Sequence, residues 1–160
     1  MRYLNKIVFI NSAAIRYSEV QLDGNIHLIG TQGVGKSTIL RAILFFYNAD
    51  TQRLGIPVEK KSYQDYYFSY ADSSIIYEVA REDGWFTVLS YKTMNRICYR
   101  FIASPYRPDL FIDEEGAPYP SDRIRSVLDK NGIKYSGAIS TYEEYRNILY
   151  GNSDNKRNYS

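Results

Sequence analysis

The sequence predicts an α/β fold: a mixed sheet around one buried helix, with an antiparallel β-meander after it. Three observations lead there. A glycine-rich stretch, Gly30–Ser37, stands between one apolar run that reads as a buried strand and another that reads as a helix. From Ser74 to Ile102 the hydrophobic period changes to two. With 160 residues, 44% of them hydrophobic, the chain is long enough for one domain with its own core and short for two.

The elements follow in order. Lys6–Ile10 is the first strand, Lys-Ile-Val-Phe-Ile. Arg16–Leu22 alternates and ends at Asp23-Gly24-Asn25, a strong turn signal. Ile26–Ile29 is a third strand that runs straight into Gly30. A helix spans about Lys36 to Tyr47, with Ile39, Leu40, Ile43, Leu44 and Tyr47 at helical spacing. Ala42, Phe45 and Phe46 widen that face, so burial on more than one side is expected. Residues 50–73 read as a long connection, with a short helix at Ser62–Phe68. The meander strands are Ile75–Ala80, Trp85–Tyr91 and Ile97–Ile102, joined at Asp83-Gly84 and at Thr93-Met94-Asn95.

Leu110-Phe111-Ile112 reads as a further short strand before the turn Glu114-Glu115-Gly116. Ser121 is placed as the cap of a helix carrying Ile124, Val127 and Leu128 and closed by Asn131-Gly132. Thr141 and Glu144 fit a capping box for a helix carrying Tyr145, Ile148 and Leu149. Residues 1–150 thus read as a single lobe: strands, loop and helix in 1–50, meander in 74–120, helical end in 121–150. Residues 151–160 turn polar and read as a disordered tail or the cut end of a longer chain.

Composition narrows the chemistry. One cysteine, Cys98, has no partner for a disulfide. One histidine, His27, with that cysteine cannot build a zinc site from several such ligands. The net charge of +2 offers no basic field for nucleic acid. No apolar run approaches the ~20 residues of a membrane helix, and the N-terminus lacks a signal-peptide pattern. The expected location is cytoplasmic. The unusual feature is 17 tyrosines, which suit half-buried sheet surfaces or, as the rival reading, a partner-binding surface.

Gly30-Thr31-Gln32-Gly33-Val34-Gly35-Lys36-Ser37 matches G-x-x-x-x-G-K-[ST] at every fixed position. A chance glycine-rich turn is the bland alternative, and the strand–loop–helix context argues against it. The glycines let the backbone turn its N–H groups inward, and the helix start adds a positive dipole end for phosphates. Lys36 places a mobile cation on the β- and γ-phosphates, Ser37 offers a hydroxyl to Mg²⁺, and Thr38 contacts the α-phosphate. The expected ligands are ATP and Mg²⁺, because no Asn-Lys-x-Asp base-reading motif argues for GTP.

Hydrolysis needs an acid for Mg²⁺. Asp113, after Leu110–Ile112, has that appearance, but the short apolar run and Glu115-Gly116 favour a solvated turn. His27 and Cys98 read as packing residues before they read as catalytic ones. Arg16 on the N-terminal hairpin and Gln64 as a γ-phosphate sensor are weaker candidates, against a surface arginine and aromatic packing. Lys60 and Lys61, with Tyr63, Tyr66 and Tyr67, read as a nucleic-acid contact or as a solvated loop over a core patch.

Leu28-Ile29-Gly30-Thr31-Gln32-Gly33-Val34-Gly35-Lys36-Ser37-Thr38-Ile39-Leu40-Arg41-Ala42-Ile43, after a strand pair, resembles the start of SMC/RecF/RecN-type ATPases. Thr31, Gln32 and Val34 stand where that family has Pro, Asn and Ser. The resemblance implies a P-loop NTPase lobe of ABC-ATPase type, with the meander as its antiparallel part. It implies ATP binding in DNA maintenance, repair or defence. It also implies partners: a C-terminal lobe of the same protein carrying the signature and Walker B residues, a head-to-head dimer, and DNA through the full-length protein. A self-contained P-loop kinase or GTPase-like enzyme, or a non-catalytic binding module with a degenerate nucleotide site, are the alternatives; the meander argues against the parallel βαβ topology of the first.

Overall fold

The computed structural model describes residues 2–22, 35–48, 63–94 and 96–150. The expected strand Ile26–Ile29 with His27, the turn at 23–25, loop residues Gly30 to Val34, Lys60, Lys61 and the tail 151–160 lie outside the described residues.

Among the described residues, five strands form one sheet: β1 (Arg2–Ser12), β2 (Ile15–Gln21), β3 (Ser74–Arg81), β4 (Gly84–Thr93) and β5 (Arg96–Ile102). Their order is β2-β1-β3-β4-β5, and every neighbouring pair is antiparallel. This overturns the expected mixed sheet, and with it the ABC-ATPase-type lobe. Two-residue connections at 13–14 and 82–83 reverse the chain within two of the pairs, and β4 and β5 pair as far as Thr93 opposite Arg96. The long return from β2 brings β3 beside β1 in antiparallel register, with Ile7 opposite Tyr77 and Phe9 opposite Ile75. The three meander strands match their expected positions.

Both faces of the sheet are covered, which explains why Ile7-Val8-Phe9-Ile10 is apolar without alternation. On one face α1 (Lys36–Asn48), α2 (Tyr63–Tyr67) and α4 (Tyr142–Leu149) pack against Ile7, Phe9, Tyr77 and Phe101. On the other, a 3₁₀ turn (Pro108–Leu110) and α3 (Ser121–Lys130) pack against Val8, Ile10, Ile76 and Leu89.

A bulge sits in β1 between Leu4 and Lys6. The extra residue, Asn5, donates from Nδ2 to the buried Glu78 carboxylate at 2.8 Å, and its carbonyl accepts from the Leu22 N–H. Glu78 also accepts from the Tyr106 N–H at 2.8 Å, so a carboxylate in mid-sheet has a donor on each oxygen.

The β1–β2 turn is made by Ala13 and Ala14, at φ 53° and 62°. Such turns usually take Asn-Gly, and the left-handed region costs a non-glycine residue roughly 1–2 kcal/mol. Surrounding contacts hold it: the Ala13 N–H donates to the Tyr66 carbonyl, and Ser73 Oγ donates to the Asn11 carbonyl.

Several local expectations change. In place of the expected strand Leu110–Ile112, Leu110 ends the 3₁₀ turn and Ile112 makes a single bridge to Pro118, because Pro108 favours a turn over a strand. Ser121 is the first helical residue of α3; Pro120 occupies the cap. The C-terminus of α3 is as read: Gly132 at φ 68°, with Ile133 N–H to Leu128 O and Gly132 N–H to Asp129 O. Thr141 caps α4 by accepting from the Glu144 N–H. In α1 the buried face is Ile39, Ala42, Ile43, Phe45 and Phe46, whereas Leu40, Leu44 and Tyr47 are exposed.

Candidate phosphate-binding site

The described part of the motif is the start of α1. Gly35 is its cap, because its carbonyl accepts the first intrahelical bond, from the Ile39 N–H at 3.2 Å. A glycine cap has no side chain to satisfy the first amides. Lys36 is the first helical residue; it and Ser37 are exposed, and Thr38 is half-buried. The first turn holds no acidic residue. A cation at the positive end of a helix opposes the dipole, at a cost of about 0.3–1 kcal/mol. An anion bound there would reverse that balance, so the arrangement fits a phosphate ligand.

The rest of α1 is held by tyrosine hydroxyls. Tyr67 donates to the Thr38 carbonyl at 2.8 Å and Tyr77 to the Ala42 carbonyl at 2.9 Å. Tyr145 donates to Phe46 O and Tyr150 to Tyr47 O. Thr38, Ala42 and Phe46 are four residues apart, so three of these bonds follow one row along the helix. Burial pushes the Tyr67 phenol up, more than Arg41 lowers it, which keeps it a donor. Burial likewise raises Tyr145. Four of the 17 tyrosines therefore anchor the helix that presents Lys36. Composition shows the excess; the pairing of each hydroxyl with a distant carbonyl has no local sequence signal.

The α2 helix reaches the first turn of α1 a second time. The Tyr66 hydroxyl lies 3.4 Å from Thr38 Oγ1, and the Tyr66 and Tyr67 rings meet edge-on at 4.9 Å. Gln64 is half-buried in the same helix.

The other candidates fall elsewhere. Asp113 Oδ1 accepts from the N–H groups of Glu115 and Ala117, both at 2.9 Å, so it organises its own turn. Cys98 is buried in β5, and burial pushes its thiol up. Arg16 is exposed on β2, at one edge of the sheet. Among the described residues, no group of three or more His, Cys, Asp or Glu side chains is placed to hold a metal ion. No helix among them is long and apolar enough to cross a membrane.

An antiparallel sheet covered on both faces, presenting a glycine-capped helix start with lysine at its first position, defines the class of domain. The chain belongs to the family described as protein of unknown function (DUF3584), whose model matches residues 11–158. No curated protein and no solved structure matches the chain.

Proposed function

We propose that the chain is the ATP-binding, N-terminal lobe of a longer SMC-like ATPase acting in DNA maintenance, repair or defence. The observation that carries this reading is the start of α1: a glycine cap and a first-position lysine, in a turn without acid, at the end of a complete G-x-x-x-x-G-K-[ST] motif. Gly30, Thr31, Gln32, Gly33, Val34 and Gly35 supply backbone N–H groups to the phosphates. Lys36 neutralises charge on the β- and γ-phosphates and is the catalytic contribution of this lobe. The exposed Ser37 hydroxyl serves Mg²⁺, and Thr38 serves the α-phosphate.

The acid for Mg²⁺ and the groups that cap the γ-phosphate come, in this reading, from a C-terminal lobe and from the partner of a head-to-head dimer. Asp113 supports that division, since its carboxylate is already engaged by its own turn. DNA is contacted by the assembled protein.

Equilibrium binding of a fluorescent ATP analogue with Mg²⁺ tests the reading. The wild-type chain should bind, and Lys36→Ala should weaken binding at least about tenfold, the loss of one charge-assisted contact. Unchanged affinity in Lys36→Ala, or no binding by the wild-type chain, would sink it.

A further inference from the structure

We propose that Tyr66 is a positioning residue of the phosphate site, acting through the Thr38 hydroxyl. The inference rests on the nucleotide reading of residues 30–38 and adds a residue from outside the motif.

Two neighbouring phenols from α2 take hold of one threonine. Tyr67, fully buried, donates to the Thr38 carbonyl at 2.8 Å. Tyr66, half-buried, brings its hydroxyl to 3.4 Å from Thr38 Oγ1. The first contact fixes where Thr38 sits. The second bears on where its hydroxyl points. Threonine in a helix divides between two rotamers, so a partner on one side selects between them. The rotamer present also lies toward the helix cap: a Cβ built on Gly35 would lie 4.0 Å from Thr38 Oγ1. Thr38 Oγ1 therefore has Tyr66 on one side and the helix cap on the other.

The direction of the bonds then follows from proton counting. Either hydroxyl can donate in the free protein. The inner oxygens of a triphosphate carry no proton, so a threonine that contacts one must donate to it. Its lone pairs remain, and Tyr66 can only donate to them. Ligand binding thus sets a chain from the Tyr66 O–H to Thr38 Oγ1, and from the Thr38 O–H to the phosphate, in which each bond polarises the next. Tyr66 is itself placed by the β1–β2 hairpin, because its carbonyl accepts from the Ala13 N–H at 3.2 Å. The orientation of Thr38 is therefore set from the sheet as well as from α1.

A double-mutant cycle with Mg²⁺ and the same fluorescent ATP analogue tests this. Tyr66→Phe keeps the ring against Tyr67, and its melting temperature should stay at the wild-type value. It should weaken ATP roughly three- to tenfold, the range for one neutral hydrogen bond. Added to Thr38→Val, it should change nothing, because the hydroxyl it acts on is gone. An equal loss in both backgrounds, or no loss in either, overturns the positioning role. Lys36→Ala separates this from the nucleotide reading. If Lys36→Ala loses binding but the cycle shows no coupling, only Tyr66 falls. If the wild type does not bind, or Lys36→Ala binds as well, both fall.

Discussion

The two ends of α1 are built on opposite terms. Neither has the usual charge complement: no acid in the first turn, no base in the last. At the C-terminal end, phenols do that work. Tyr145 and Tyr150 donate to Phe46 O and Tyr47 O, carbonyls of the last helical turn. Tyr145 is fully buried and stacks on Tyr99 at 4.2 Å, which in turn stacks on Phe45. At the N-terminal end the cap is a glycine, the first residue a lysine, and both are exposed. One end is determined by several elements of the fold. The other breaks local rules for a helix start without a gain in stability, as binding positions do.

The comparison predicts alkaline sensitivity as its largest effect. Burial raises Tyr67, Tyr99, Tyr106 and Tyr145, and raises Tyr17 to about 12. An unfolded tyrosine ionises near 10. Each raised group therefore contributes stability that is intact below pH 10 and is lost as pH climbs from 10 to about 12 and beyond. Helical circular dichroism and tyrosinate absorbance, followed together, should change in one step. Full ionisation with helicity retained would show that protonated phenols do not hold α1.

Tyr145→Ala comes next. It removes the stack and the Phe46 bond together, at a cost of about 3–5 kcal/mol by denaturant unfolding. Tyr145→Phe keeps the ring and strips one bond from a buried carbonyl, at a cost of about 1–3 kcal/mol. If the two cost the same, packing is minor and the bond is the anchor. If Tyr145→Phe costs nothing, the hydroxyl is not the anchor.

These contacts mark what the sequence could and could not reveal. The meander was legible because period-two alternation and the Asp83-Gly84 turn are local signals. The Gly132 and Thr141 helix ends were legible for the same reason. The β1–β2 turn was not, since Ala13-Ala14 has no turn chemistry and is held by Tyr66 and Ser73, more than fifty residues away. The mixed sheet was inferred from the loop motif, but a motif constrains its own strand–loop–helix context and says little about how distant strands pair. The motif singles out Lys36 and Ser37, and Thr38 beside them, as candidates from local spacing alone. The sequence offers Tyr66 only as a nucleic-acid contact or as part of a loop over a core patch, because its partner at Thr38 is 28 residues away and leaves no local signal.

The smallest expected effect has the opposite sign. Lys36→Gln keeps the helix propensity of the side chain and most of its length, and removes a cation from the positive end of α1. Without ligand it should leave stability unchanged or raise it by about 0.3–1 kcal/mol, most clearly at low salt, where the dipole term is least screened. The same change should weaken ATP binding, since a lysine kept at an unfavourable position is compensated only when phosphate arrives. ATP should then raise the wild-type melting temperature and leave that of Lys36→Gln nearly still. A destabilised Lys36→Gln, with the same ATP response as wild type, would mean that Lys36 serves the fold and that both ends of α1 are structural.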